Sequence, residues 1–132
     1  MPSRLLSALL VSLSAGAAFA QSPEAGEDLY ITYCSACHGI EARGDGPLRD
    51  LLTIAPPDLT VLAAAAGGEF PRFRVARQVD GRDPVLAHGG PMPFYGDVFD
   101  SPAAALDAAD GQPILMGQGI ADLIVYLESL QR

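Results

Sequence analysis

The chain has 132 residues and no lysine, and its eight arginines face 16 acidic residues, for a formal net charge of −8. Nucleic-acid binding is disfavoured, because contacts with phosphates need a basic face. The chain also has only two cysteines and two histidines. A structural zinc site usually takes four such ligands, so it would need all of these residues and is disfavoured.

Long apolar runs are also scarce. Residues 5–18 carry no charge, follow Arg4 and end at Ala18-Phe19-Ala20, the small-x-small pattern of a signal-peptide cleavage site. The run is shorter than the ~20 residues that span a bilayer, and no later stretch is apolar enough to do so. We predict a signal peptide over residues 1–20, export to the periplasm, and one soluble domain over residues 21–132 with no membrane span.

Both cysteines lie in the sequence CSACH at residues 34–38, three positions apart, with His38 directly after the second. This is the attachment sequence of a c-type haem. Residues three apart share one side of a helical turn, so both sulfurs reach the two vinyl groups of one porphyrin edge. We therefore predict one covalent haem c, bound through Cys34 and Cys37, with His38 as an axial iron ligand.

Three other interpretations of this motif exist. A thioredoxin-like dithiol needs a βαβ setting, and no strand–helix–strand pattern surrounds residues 34–38. Half of a zinc site would leave only His88 as a further nitrogen or sulfur ligand. A disulfide between Cys34 and Cys37 would close a very short loop and stabilise little.

The second axial ligand is predicted to be Met92. It stands between two prolines, whose fixed φ angles make a stiff loop. His88 is the competitor, and bis-histidine ligation would lower the reduction potential. On the proximal side, the carbonyl of Pro47, in the turn GDGP at 44–47, is predicted to accept the Nδ1–H of His38 and orient the ring.

The remaining pattern is helical. Ser22 is a predicted N-cap, and Gly26 and Tyr30 share the apolar face of the first helix. Further helices are predicted over 59–66 and 70–79, and one of three arginines in the latter is a candidate partner for a haem propionate. Residues 97–112 are predicted to form an insertion with one helical turn. The last helix carries an apolar stripe, with Asp122 predicted on its outer side. The arginines are Arg72, Arg74 and Arg77, and the stripe contains Ile120, Leu123, Ile124, Leu127 and Leu130.

At this point the sequence resembles the bacterial class I cytochromes c over essentially its whole mature length. The resemblance is carried by CSACHG at 34–39, GP at 46–47, PDLT at 57–60, MP at 92–93 and IVYL at 124–127. It implies an all-α fold in which the first and last helices cross near a right angle around one haem. The insertion at 97–112 and the lack of a lysine ring depart from the family's smaller members.

With both axial positions filled by protein, electron exchange is the chemistry directly open to such an iron. We therefore predict an electron-transfer protein rather than an enzyme: a periplasmic one-electron carrier that meets a redox donor and acceptor through an exposed haem edge. The first alternative is a cytochrome subunit bound permanently to a larger periplasmic or membrane oxidoreductase. A second is a gas-binding or peroxidase-like protein in which Met92 dissociates readily.

Overall fold

Helices lie near both ends of the described part of the chain in the structure, a computed structural model that describes residues 20–82, 92–99 and 101–132. The elements are α1 (Pro23–Tyr33), α2 (Ser35–His38), α3 (Leu62–Ala65), α4 (Arg72–Asp80), β1 (Ala103–Asp107), β2 (Pro113–Gly117) and α5 (Gln118–Ser129). Two short 3₁₀ turns, Arg49–Leu51 and Leu59–Val61, lie in the loops. The predicted signal peptide falls outside the described residues, apart from Ala20. No helix in the described ranges has the length and hydrophobicity to cross a bilayer.

The start of α1 follows the prediction. The Ser22 hydroxyl accepts a hydrogen bond from the Ala25 amide at 3.2 Å, and Pro23 is the first helical residue. This satisfies one of the free amides at the helix N-terminus, and proline has no amide hydrogen to leave unpaired there. Gly26 and Tyr30, one turn apart, are both buried. The predicted apolar face of α1 is therefore confirmed at these two positions.

Helix α1 packs on α5, and Gly26 lies at the contact. A Cβ atom at this position would overlap the backbone carbonyl of Asp122 and lie 2.8 Å from the Cβ of Tyr126. The two helices therefore approach closely at Gly26, where a side chain does not fit, while the near-right-angle crossing stays a prediction. The rings of Tyr30 and Tyr126 meet across the same contact, with centroids 5.5 Å apart.

Asp122 is not on the outside of α5 as predicted but buried. Its Oδ1 accepts hydrogen bonds from the Ser22 amide and the Gln118 side chain, both at 2.8 Å. A buried carboxylate needs such partners, because an unpaired charge away from water is costly. Asp122 therefore links the start of α1 to α5. The apolar stripe of α5 is confirmed, with Ile120, Leu123 and Ile124 almost fully buried.

The all-α prediction is wrong for residues 103–117, where β1 and β2 form an antiparallel hairpin with Leu106 opposite Ile114. Each strand has only five residues, and alternate side chains point inward, so that Leu106, Ile114 and Met116 are buried. Gly111 provides the turn with φ +78°, a conformation that favours glycine. The alanine-rich composition of this segment suggests a helix, but its apolar residues are buried at every second position, as in a strand.

Candidate haem site

The motif at 34–38 begins at the junction of α1 and α2 and includes the whole of α2. The amide of Cys34 donates to the carbonyl of Tyr30 at 2.9 Å, and that of His38 donates to the carbonyl of Cys34 at 2.9 Å. Cys34 and His38 are buried and Cys37 is partly exposed. All three side chains line one cavity. The predicted spacing therefore brings two thiols and one imidazole to the same space.

The glycine-rich turn after the motif satisfies the end of α2. The amide of Gly44 donates to the carbonyl of His38 at 2.8 Å, and the amide of Gly46 donates to that of Cys37 at 3.2 Å. A Cβ at Gly46 would lie 2.5 Å from the backbone of Cys37, so a side chain does not fit there. Carbonyls left free at a helix C-terminus need such partners. The turn holds the motif in its helical geometry.

The carbonyl beside His38 belongs to Pro57, not to Pro47 as predicted. Its oxygen lies 3.4 Å from Nδ1 of His38, and the His38 ring has no such contact with Pro47. The tight contact at Gly46 is followed by a loop that returns to the motif at residues 56–59, where the Leu59 amide donates to the Ala42 carbonyl at 2.7 Å. This loop path brings Pro57 to His38, and the residues next to His38 in the sequence do not indicate it.

The ionisation state of His38 suits a metal ligand. Burial lowers the pKa of His38 below its usual value near 6.5, and the Pro57 carbonyl opposes part of that shift. At neutral pH the ring is therefore uncharged and keeps one nitrogen with a free lone pair. If Nδ1 carries the hydrogen toward Pro57, Nε2 is the nitrogen left to coordinate a metal.

Both cysteines are free thiols. Burial, with a smaller contribution from the neighbouring Cys37, raises the pKa of the Cys34 thiol to about 11. The disulfide interpretation is not realised in the structure. In the part of the chain that the structure describes, no group of three or more His, Cys, Asp or Glu side chains is arranged to hold a metal ion. The zinc interpretation thus gains no ligand set there.

The cavity has a volume of about 450 Å³, within the range of cofactor sites. Its walls are mostly apolar and come from several elements. They include Leu59 and Leu62, Val75 and Val79 of α4, and Leu123 and Leu127 of α5. A flat, largely apolar group with polar ends suits such walls, because burial of its faces is favourable. Two thiols, one imidazole and a thioether in this lining match the donors that a covalent haem requires.

The thioether is that of Met92, which is partly buried and lines the cavity. The loop after it is anchored at Tyr95. The Tyr95 amide donates to the Val79 carbonyl of α4 at 2.7 Å, and its hydroxyl donates to the Tyr33 carbonyl of α1 at 3.1 Å. The Tyr95 ring stacks on Phe99 with centroids 5.4 Å apart. His88, the competing ligand, and Pro91 lie outside the described residues.

The three arginines of α4 have different surroundings. Arg72 forms a salt bridge with Glu128 at 2.8 Å. The guanidinium of Arg77 lies over the ring of Phe73, 5.5 Å from its centroid. Arg74 lines the cavity. Of the three arginines that the sequence offered, Arg74 is therefore the one placed to meet an acidic group of a cavity ligand.

Gln78 is a cavity residue that sequence reasoning missed. Its Nε2 lies 4.0 Å from Sδ of Met92, within hydrogen-bonding range for sulfur. A signal for it existed, because Gln78 follows Arg74 by four residues and so shares its side of α4. Pro57 is the other missed residue, and PDLT at 57–60 contained it.

Comparison with known proteins identifies one matching family. The model of the family described as Cytochrome c matches residues 23–131, which is most of the chain. No curated protein and no solved structure matches it.

Proposed function

The chain belongs to the cytochrome c family and is a haem-based electron-transfer protein, and on that basis we propose that it is a one-electron carrier with a single haem c and His/Met ligation. The observation that supports this most is the shared cavity of Cys34, Cys37, His38 and Met92. These side chains include every donor that such a site needs. The cavity walls are apolar enough to bury the faces of the group.

The two cysteines would hold the haem covalently. Each thiol would form a thioether by addition of its S–H bond across one vinyl C=C, with sulfur on one carbon and hydrogen on the other, so the attachment would need no oxidant. Cys34 and Cys37 are free thiols, as this addition requires. Because Cys34 is the N-cap of α2 and its carbonyl accepts the His38 amide, both attachment points and His38 are fixed relative to one another.

His38 and Met92 would be the axial ligands. The Pro57 carbonyl favours one ring orientation of His38 and leaves Nε2 as the donor. The two anchors of Tyr95 hold the loop that follows Met92 against α1 and α4. With both positions occupied by protein, the bound group would supply one-electron exchange between Fe(II) and Fe(III) and would leave no site for a substrate.

The surroundings of the cavity would set the potential and the contact with partners. Apolar walls disfavour the more highly charged ferric state and so raise the potential. Arg74 would pair with a propionate. Pro93 and Phe94, both exposed, follow Met92 on the surface where a redox donor or acceptor would meet the haem edge. The signal peptide predicted at 1–20 favours a periplasmic location, since bacteria attach this haem outside the cytoplasm.

The test is to produce the chain in a bacterium that matures c-type cytochromes and to recover the periplasmic fraction. We expect one haem per chain, retained after denaturation and acid–acetone extraction, with the N-terminus at Gln21. Cys34→Ser and Cys37→Ser should each leave one thioether and shift the reduced pyridine haemochrome band. Haem that is extractable from the wild-type protein would contradict the proposal. Addition of carbon monoxide to the reduced protein should leave its spectrum unchanged, and a change would favour the gas-binding alternative.

A further inference from the structure

We propose that Gln78 is a positioning residue that donates a hydrogen bond to the sulfur of Met92 and thereby raises the reduction potential of the haem. The inference rests on the proposed function, because it takes Met92 as an iron ligand. It starts from one contact, in which Nε2 of Gln78 lies 4.0 Å from Sδ of Met92.

Helix α4 brings Gln78 to the cavity. The cavity is lined by Arg74, Val75, Gln78 and Val79. The first two are one helical turn before the last two, so all four lie on the same side of α4. Gln78 is partly buried, and the Val79 carbonyl next to it accepts the Tyr95 amide at 2.7 Å. The helix that carries the amide is thus bonded directly to the loop that carries the sulfur. The two groups are fixed relative to each other by backbone as well as side chain.

Two hydroxyls of the lining are already engaged. The hydroxyl of Tyr30 donates to the Gly39 carbonyl at 2.6 Å, and that of Tyr95 donates to the Tyr33 carbonyl at 3.1 Å. Their hydrogens are therefore directed at backbone oxygens. The amide of Gln78 is the donor directed at the sulfur, and a thioether is a weak acceptor.

The direction of the effect follows from charge. A thioether sulfur that accepts an N–H bond donates less electron density to the metal, and the loss matters more for Fe(III) than for Fe(II). The positive end of the amide dipole also disfavours the ferric charge. Both effects favour reduction, and hydrogen bonds to iron-ligating groups are a recognised means of setting potentials.

Two variants remove the donor and keep the helix: Gln78→Leu and Gln78→Met. Poised at the wild-type midpoint, each should show about a threefold lower ratio of reduced to oxidised protein, which is about 28 mV at 59 mV per tenfold for one electron. The far-red sulfur–iron band of the ferric protein should persist in both. Gln112→Leu is the matched control, because Gln112 is exposed in the hairpin turn, and it should leave the ratio unchanged.

Two results would overturn the inference. One is a midpoint equal to that of Gln112→Leu in both variants, which would show that the amide does not act on the sulfur. The other is loss of the far-red band, which would show that Gln78 is needed to keep Met92 on the iron instead of to polarise it. A wild-type protein without a covalent haem would instead refute the proposed function. A wild-type haem without the far-red band would refute the Met92 ligation on which this inference stands.

Discussion

The carbonyl oxygen of Pro57 lies 3.4 Å from Nδ1 of His38, at the point where the loop after the haem motif returns to it. A carbonyl in this position makes the imidazole a stronger electron donor and stabilises ferric iron. Loosening the backbone with Pro57→Gly should therefore raise the reduction potential. We expect up to about a threefold rise in the ratio of reduced to oxidised protein, or about 28 mV, measured by redox titration.

Pro47→Gly is the matched control for that change. The carbonyl next to the His38 ring is that of Pro57 and not that of Pro47, so the Pro47 variant should keep the wild-type potential. If Pro47→Gly shifts the potential and Pro57→Gly does not, the orienting carbonyl is that of Pro47 after all.

Gly26→Ala tests the α1–α5 contact. The added methyl would overlap the Asp122 carbonyl, so α1 must move, and overpacking of this kind costs about 1–3 kcal/mol of the free energy of unfolding. Urea denaturation of the haem-loaded protein measures the loss. In Gly119→Ala the new Cβ would lie 3.3 Å from the nearest atom, Phe99 Cβ. Alanine stabilises a helix by up to ~1 kcal/mol relative to glycine, and this gain in the free energy of unfolding should offset the cost of the tighter contact. Equal losses in the two variants would contradict a specific contact at Gly26.

Tyr95→Phe tests the anchor of the Met92 loop. It removes the hydroxyl that donates to the Tyr33 carbonyl at 3.1 Å and leaves the ring stacked on Phe99. The loop should then release Met92 more often, so carbon monoxide should bind the reduced variant faster than it binds wild type. Tyr126→Phe changes a hydroxyl on α5, where the ring packs on Tyr30, and should behave as wild type. Identical rates in all three proteins would show that this hydrogen bond does not hold the loop.

Tyr30 should make stability depend on alkaline pH. Burial raises the pKa of Tyr30 above its usual value of 10, so the folded chain keeps this proton where the unfolded chain loses it. The free energy of unfolding then falls as pH rises above 10, by at most about 1.4 kcal/mol per pH unit for this group. Tyr30→Phe should be less stable at pH 7 by about 1–2 kcal/mol, because the Gly39 carbonyl loses its buried donor.

The slope above pH 10 should nevertheless be shallower in Tyr30→Phe than in wild type. Denaturant titrations at pH 7, 10 and 11 give both quantities. Tyr33→Phe serves as the control, since Tyr33 is exposed. Parallel slopes for Tyr30→Phe and wild type would show that groups other than Tyr30 cause the fall in the free energy of unfolding above pH 10.

The sequence predicted best those features that depend on neighbours along the chain. The Ser22 cap, the apolar face at Gly26 and Tyr30, and the helical turn that carries Cys34 and His38 are all local, because caps and helix faces are set within four residues. The stripe of α5 was predicted for the same reason. Each is found in the structure.

The features that were missed depend on distant parts of the chain. Pro57 reaches His38 across 19 residues, and Asp122 is buried because it accepts the Ser22 amide 100 residues away. The hairpin contains alanine-rich β1, whose composition favours a helix, whereas pairing with β2 makes it a strand. Gln78 lies on a predicted helix, but only the loop at Met92 gives its amide a partner.

Far-red absorbance of the ferric protein tests the central claim, His/Met ligation, most directly. A sulfur–iron charge-transfer band should be present in wild type, absent in Met92→Leu and retained in His88→Ala. Retention of the band in Met92→Leu together with its loss in His88→Ala would contradict the assignment of Met92 as the second axial ligand.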